Sequence, residues 1–171
     1  MGAKDHKEAA SKDDIVARVA ILTVTDTKSR ETDTSGRAAF ELFRKHGHTV
    51  VLHEIIANSR KKVAATALTA LRDADLVLTI GGTGISHKDV SVDAILPLIK
   101  KALPGFGELF RAFSVKDIGT ATILSRVVLG VTEKHKLVLC LPGSENAVKL
   151  GLEGILLPEL KHLLWELRRY A

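Results

Sequence analysis

The sequence predicts an α/β fold: a three-layer α/β/α sandwich with a mostly parallel sheet. Two observations predict it. First, apolar β-branched runs alternate with helix-period segments through the first half of the chain, in the order strand, helix, strand, helix, strand. Such connections are right-handed crossovers that place helices on both faces of a parallel sheet. Second, the runs Val19–Val24 and Asp75–Ile80 are apolar on both faces, as in strands buried in a parallel sheet. At 171 residues the chain has the length of one domain. A chain of that size buries about 70 % of its unfolded surface and needs neither disulfide nor metal to hold a core.

Residues 1–14 are polar, mix Lys with Asp, and read as a flexible N-terminal extension to a domain over 15–171. The first strand opens near Val16. Thr34 or Ser35 can cap a helix carrying Ala38, Ala39, Phe40, Leu42 and Phe43, which Gly47 ends. Thr49–Ile56 is a second strand. Asn58 or Ser59 caps a helix in which Val63, Ala67, Leu68 and Leu71 repeat at helical spacing. After the third strand, Ser91–Ala102 reads as helix, with Val92, Ile95, Leu96 and Ile99 on one face, and Pro97 either kinks it or marks the first turn of a shorter helix. Phe106–Phe113 is also helical, with Phe106, Leu109, Phe110 and Phe113 on one face. Val127–Val131 and Lys136–Leu141 are expected to pair around Thr132–His135. A long amphipathic helix runs from Ser144 or Glu145 to Arg169, interrupted near Pro158.

Composition excludes several classes. The apolar runs Leu137–Leu141 and Ile155–Leu157 fall far short of the roughly 20 residues of a membrane span. No charged-then-apolar leader opens the chain, so the expected location is the cytoplasm. The single Cys140 excludes an intramolecular disulfide and a Cys-rich metal site, and reads as a packed thiol. The net charge of +5 favours an anionic small-molecule partner. Basic residues are spread along the chain and only seven residues are aromatic, so no nucleic-acid surface is expected. Trp165 and Tyr170 are read as packing residues.

Chemistry is expected where loops leave the carboxyl ends of the strands. Gly81-Gly82-Thr83-Gly84 follows a buried strand directly. It is either a phosphate cradle of backbone N–H groups or a tight turn. It has neither the Gly-Lys-Ser/Thr of a P-loop nor the dinucleotide glycine spacing. Lys88, Asp89, Ser91 and Asp93 come next. Asp89 can hold Mg²⁺ with substrate phosphates and Lys88 can neutralise phosphate charge. Alternatively, Asp89 and Ser91 cap a helix. Asp26 and the cluster Asp33-Thr34-Ser35-Gly36 lie beyond the first strand. Pro142-Gly143-Ser144 lies beyond another. Ser35 beside Gly36 at a helix start can donate to a ligand or belong to a capping motif, and the Pro142-Gly143-Ser144 loop likewise opens a helix.

Gly81-Gly82-Thr83-Gly84-Ile85 followed by Lys88-Asp89-Val90-Ser91 resembles the signature of the molybdopterin adenylyltransferase family. Asp33-Thr34-Ser35-Gly36 and Pro142-Gly143-Ser144 match its other two motifs. Pro104–Arg111, Ile118-Gly119-Thr120 and Leu124-Ser125-Arg126 resemble its MoaB branch especially. The resemblance covers roughly Val16 to Leu167. It implies a molybdopterin-binding α/β domain over 15–171 that assembles as a homotrimer or a hexamer. It also implies MgATP-dependent transfer of AMP to molybdopterin, with a downstream insertase for molybdate or tungstate. By motif match, Asp89 is the catalytic and Mg²⁺-binding carboxylate. Asp26, Asp33, Ser35, Gly36, Asn58, Gly81–Gly84, Lys88, Ser91, Asp93, Ser125, Pro142, Gly143 and Ser144 are the implied ligand contacts. Two positions depart from the family pattern. Asn58 stands where active relatives carry an Asp, and Glu145 stands where the third motif commonly has a second proline. A neutral Asn can still ligate Mg²⁺ through its carbonyl but supplies no charge.

Overall fold

The computed structural model describes residues 15–169. The expected N-terminal extension and Tyr170 lie outside them. Strand β1 (Arg18–Val24) leads to helix α1 (Thr34–Lys45), β2 (Thr49–Ile56), α2 (Arg60–Ala70) and β3 (Leu76–Ile80). The second half begins with a short α3 (Ser91–Ile95), a 3₁₀ turn (Leu96–Leu98) and β4 (Ile99–Ala102). Helix α4 (Pro104–Ile118) and a 3₁₀ stretch (Gly119–Leu124) come next, then a hairpin of β5 (Val128–Thr132) and β6 (Leu137–Leu141). Helix α5 (Glu145–Gly151), a π-helical stretch (Leu152–Leu156) and α6 (Leu157–Arg168) complete it.

The six strands form one sheet in the order β2-β1-β3-β6-β5-β4. β2, β1, β3 and β6 pair in parallel, whereas β5 runs antiparallel to both neighbours. Alternate side chains of the central strands feed two cores. Val19, Ile21, Leu76, Leu78, Leu137 and Leu139 pack with Phe43, Phe106, Phe110, Val148 and Leu160 from α1, α4, α5 and α6. Ala20, Leu22, Val77, Val138 and Cys140 pack with Val63, Ala67, Val92 and Ile95 from α2 and α3. Helices therefore cover both faces, and the expected sandwich is present. Among the described residues no helix is long and apolar enough to cross a membrane.

Three local expectations are corrected. Ser91–Ala102 is not one helix. Pro97 stands in the first turn of the short 3₁₀ stretch, the second of its two expected roles, and Ile99–Ala102 leaves as a strand whose Ala102 pairs with Gly130. A side chain on Gly130 would meet Ile99 Cγ2 at 2.5 Å, so the missing Cβ lets this edge strand close on the sheet. Helix α1 is capped by Asp33, not by Thr34 or Ser35: the Asp33 carboxylate accepts the Gly36 N–H at 2.9 Å. The aromatic face of α4 is split. Phe106 and Phe110 are 5 % and 2 % exposed in the core, whereas Leu109 and Phe113 are 48 % and 40 % exposed. The Ser59 cap, the Gly47 terminus at positive φ and the β5–β6 hairpin match the sequence reading. Burial raises the Cys140 thiol pKa to about 12, consistent with a packed thiol.

Candidate functional site

Four parallel strands deliver four loops to one edge of the sheet, and the loops are tied together. The Asn58 N–H after β2 donates to Asp26 Oδ1 after β1, at 2.9 Å. The Gly81 N–H after β3 donates to the carbonyl of Leu141, the last residue of β6, at 2.9 Å. The Lys28 ammonium donates to Ser35 Oγ at 3.2 Å and to the Gly143 carbonyl at 3.4 Å. It bridges the start of α1 and the Pro142–Ser144 loop.

The glycine loop is built from backbone constraints. Gly81 and Gly82 have φ of +92° and +62°, conformations that side chains rarely adopt. A Cβ on Gly82 would lie 2.6 Å from Ser91 Oγ and 3.3 Å from Asn58 Oδ1. Ser91 is fully buried. Its hydroxyl donates to the Gly81 carbonyl at 2.6 Å and its N–H to the Gly82 carbonyl at 2.9 Å. Ser91 therefore pins the loop; it neither caps α3 nor lies open to a ligand. Thr83 is also buried.

Asp89 does not cap α3 either, because Val90 occupies that position without a side-chain cap bond. Its Oδ2 accepts the Ser86 N–H at 2.9 Å and lies 2.7 Å from where a Gly84 Cβ would stand. The Ser86 hydrogen bond outweighs burial, which works to raise this carboxyl, and holds it below its ordinary range. Asp26 is exposed, and the Asn58 N–H keeps its carboxyl low as well. Asp93 is engaged with Arg126, whose guanidinium reaches Asp93 Oδ1 at 2.7 Å and the Gly84 carbonyl at 3.0 Å. Lys88 is exposed beside them, and its charge helps lower Asp26.

The Asp33 cluster is buried. Thr23 donates to Oδ2 at 2.6 Å, His53 Nε2 lies 3.2 Å from the same oxygen, and Ser35 Oγ lies 3.3 Å from Oδ1. Burial works to raise the Asp33 carboxyl, but the Thr23, Gly36 and His53 hydrogen bonds outweigh it and keep the group ionised. Asp33, Ser35 and Gly36 thus shape the start of α1 from inside, where Asp33 and Ser35 are 1 % and 0 % exposed. Ser125, Pro142 and Ser144 line a separate cavity of about 240 Å³ with Phe110, Ser114 and Asn146. The structure thus gathers Asp26, Asn58, Gly81, Gly82, Ser91 and Gly143 closely, with Asp89 beside Gly84 and Asp93 linked to Gly84 through Arg126. Sequence reasoning gave no role to Lys28, His53 or Arg126. Each acts through a partner 7 to 115 positions away, and no local spacing announces such a partner.

The acidic donors suit a cation that arrives with a ligand. Among the described residues no group of three or more His, Cys, Asp or Glu could hold a resident metal. Mg²⁺, however, binds through one or two protein oxygens together with substrate phosphates. Asp89 by Gly84 and the Asn58 carbonyl by Gly82 are oxygens of that kind.

Known proteins share both the sequence and the fold. A sequence profile described as "Probable molybdopterin binding domain" matches residues 20–162. The chain is 41 % identical to molybdenum cofactor biosynthesis protein B of Bacillus anthracis, over 99 % of both chains. It is 42 % identical to the protein of that name from Staphylococcus aureus (strain MRSA252), covering 89 % of this chain and 92 % of that one. A crystal structure of molybdenum cofactor biosynthesis protein B superposes with a TM-score of 0.87 at 40 % identity, covering 92 % of this chain and 99 % of that one. The tungsten cofactor synthesizing protein MoaB from Pyrococcus furiosus does so with 0.83 at 35 %, covering 91 % and 99 %. The motifs, the sheet order and these likenesses agree: the chain belongs to the molybdopterin-binding-domain family, as a homologue of the molybdenum cofactor biosynthesis proteins B.

Proposed function

We propose that the protein adenylylates molybdopterin. In this reaction a terminal phosphate oxygen of molybdopterin attacks the α-phosphorus of ATP. A new P–O bond forms, the bond to the β-phosphate oxygen breaks, and pyrophosphate leaves with the electron pair. Such a transfer needs alignment and charge neutralisation more than covalent help. Bound Mg²⁺ supplies Lewis-acid charge at the phosphates. Asp89 and the Asn58 carbonyl are the residues that would hold it. Lys28 and Lys88 bring positive charge to the same loops, and the glycine backbone admits phosphates closely.

The observation that carries this reading is the placement of Asp89: a carboxylate set against the glycine loop at a strand end, with no part in capping α3. The reading includes a cytoplasmic location and an insertase for molybdate or tungstate that consumes the product. It also includes self-association as a homotrimer or hexamer, supported by exposed Leu109, Phe113, Val115 and Ile118 on α4. Incubation of the purified protein with MgATP and molybdopterin tests it, with pyrophosphate and adenylylated pterin as the expected products. A second reading, pterin binding without turnover, is favoured by the neutral Asn58. Bound pterin without pyrophosphate selects that one. Binding of neither substrate overturns both.

A further inference from the structure

A second cavity, of about 250 Å³, opens between the start of α1 and the edge strand β2. It is lined by Arg30, Arg37, Phe40, His53 and Ile55, and contains none of the glycine-loop residues. His53 and Ile55 are two apart on a strand and so share a face. Arg37 and Phe40 are three apart on a helix and are surface neighbours. The Phe40 and His53 rings stack with centroids 6.4 Å apart and planes 24° apart, the Arg44 guanidinium lies 5.7 Å from the Phe40 centroid, and Ile55 adds aliphatic surface beside Phe40. The polar part of the lining is two guanidinium groups and an imidazole, with no carboxylate. Arg37 donates to the Glu31 backbone carbonyl at 3.2 Å. The charges of Arg37 and Arg30 are also felt by Glu145 and Glu31, two carboxylates outside the lining. Asp33, reached through His53, is buried and already accepts from Thr23 and Gly36.

A flat apolar wall beside two forked cations has a definite chemical complement. Guanidinium groups pair with phosphate through parallel N–H···O bonds, and flat rings gain from lying on aromatic and aliphatic surface. We propose that this cavity is a second binding site, for a planar heteroaromatic carrying a phosphate, with the ring on Phe40 and Ile55 and the phosphate on Arg30 and Arg37. A nucleotide and a phosphorylated pterin share that chemistry. The proposal does not depend on adenylyl transfer.

The test reads the His53 ring signals by NMR, assigned with His53→Gln, while AMP, adenosine, inorganic phosphate or a pterin monophosphate is titrated into the full chain. AMP or the pterin monophosphate is expected to shift them. Adenosine and inorganic phosphate should bind at least tenfold more weakly. Whichever phosphorylated ring binds more tightly identifies the source. Arg30→Ser/Arg37→Ser, at two exposed positions, should weaken that binding at least tenfold with the melting curve preserved. Asp89→Asn should leave the His53 response in place, which separates this site from the glycine-loop site. The proposal is overturned if neither phosphorylated ring moves the His53 signals. It also fails if the double substitution leaves the affinity unchanged, or if inorganic phosphate binds as tightly as AMP. None of these readouts requires turnover, so loss of pyrophosphate release with an arginine-dependent His53 response would count against adenylyl transfer alone.

Discussion

Gly81 and Gly143 meet backbone to backbone: a Cβ on Gly143 would stand 3.3 Å from the Gly81 Cα. The glycine loop and the Pro142–Ser144 loop are thereby held in van der Waals contact at adjacent strand ends. Gly81 is the more constrained of the two. At φ +92°, its Cβ would also lie 2.7 Å from the Val24 carbonyl oxygen, a backbone atom with little room to yield. Gly81→Ala should cost about 2 kcal/mol, a fall in Tm of about 4–8 °C, and should weaken ligand binding by parting the loops. Calorimetry and pterin titration check it; an unchanged Tm would mean that the loop relaxes freely.

Asp89→Asn keeps an oxygen to accept the Ser86 N–H but removes the charge. We expect a stability change below about 1 kcal/mol and a loss of pyrophosphate release of at least about 100-fold. Equal activity with an unchanged Mg²⁺ requirement would leave Asp89 as a loop-ordering residue.

Asn58→Asp restores a negative charge where the Asn58 side-chain oxygen approaches Gly82. A hard cation gains from the added charge, so activity should rise or the Mg²⁺ concentration for half-maximal activity should fall. Reduced activity with weaker Mg²⁺ dependence would show that Asn58 does not serve the cation.

Much of this architecture was legible because burial leaves a simple trace. Strands β1 and β3 are apolar on both faces, and Ser59 announces the start of α2 directly. Strand β4 left no such trace. Ile99-Lys100-Lys101-Ala102 has no alternation, and it becomes a strand only because Gly130 lets Ile99 close on β5. The aromatic spacing of α4 marked a helix face. Which of its rings entered the core depended on what lay opposite them. In the site, Gly81–Gly84 and Asp89 were readable from a contiguous motif. Lys28 and His53 were not, since each joins segments remote in sequence; Arg126 stood in the Leu124-Ser125-Arg126 motif, but its reach to Gly84 and Asp93 did not follow from it.

His48 is buried with Nδ1 accepting the Ala17 N–H at 3.2 Å, so its imidazole must be neutral there. Burial, followed by the charges of Lys161 and His46, lowers its pKa from 6.5. The unfolded chain therefore binds a proton that the folded one refuses, and stability falls as pH drops below about 6.5. Asp75 adds a lower window. Burial would raise its carboxyl, but the Arg18 N–H, then Lys136 and Arg168, hold it down. Its contribution is present above pH 4 or so and fades as pH falls further. Unfolding midpoints in urea from pH 8 to 3 should fall in two stages, and His48→Gln should remove the upper one.

Phe110 and Phe113 separate folding from assembly. Phe110→Asp buries a carboxylate in the core and should cost several kcal/mol, giving an unfolded or aggregated chain. Phe113→Asp alters a half-open position and should keep the fold. If α4 joins copies of the chain, light scattering on this variant should return the 18.5 kDa monomer, with trimer or hexamer for the parent. A monomeric parent protein at micromolar concentration would refute the assembly.

The reversal of β5 has a practical consequence. Because β5 enters at the loop edge and leaves at the opposite edge, its turn into β6 sits at the far end of the sheet. His135 in that turn has a positive φ of 55° and is exposed, and its neighbours Glu133 and Lys134 are exposed too. A fluorophore or affinity handle attached at Lys134 would therefore report on the whole molecule, or immobilise it, with the four loops at the carboxyl ends of the parallel strands facing away from the attachment.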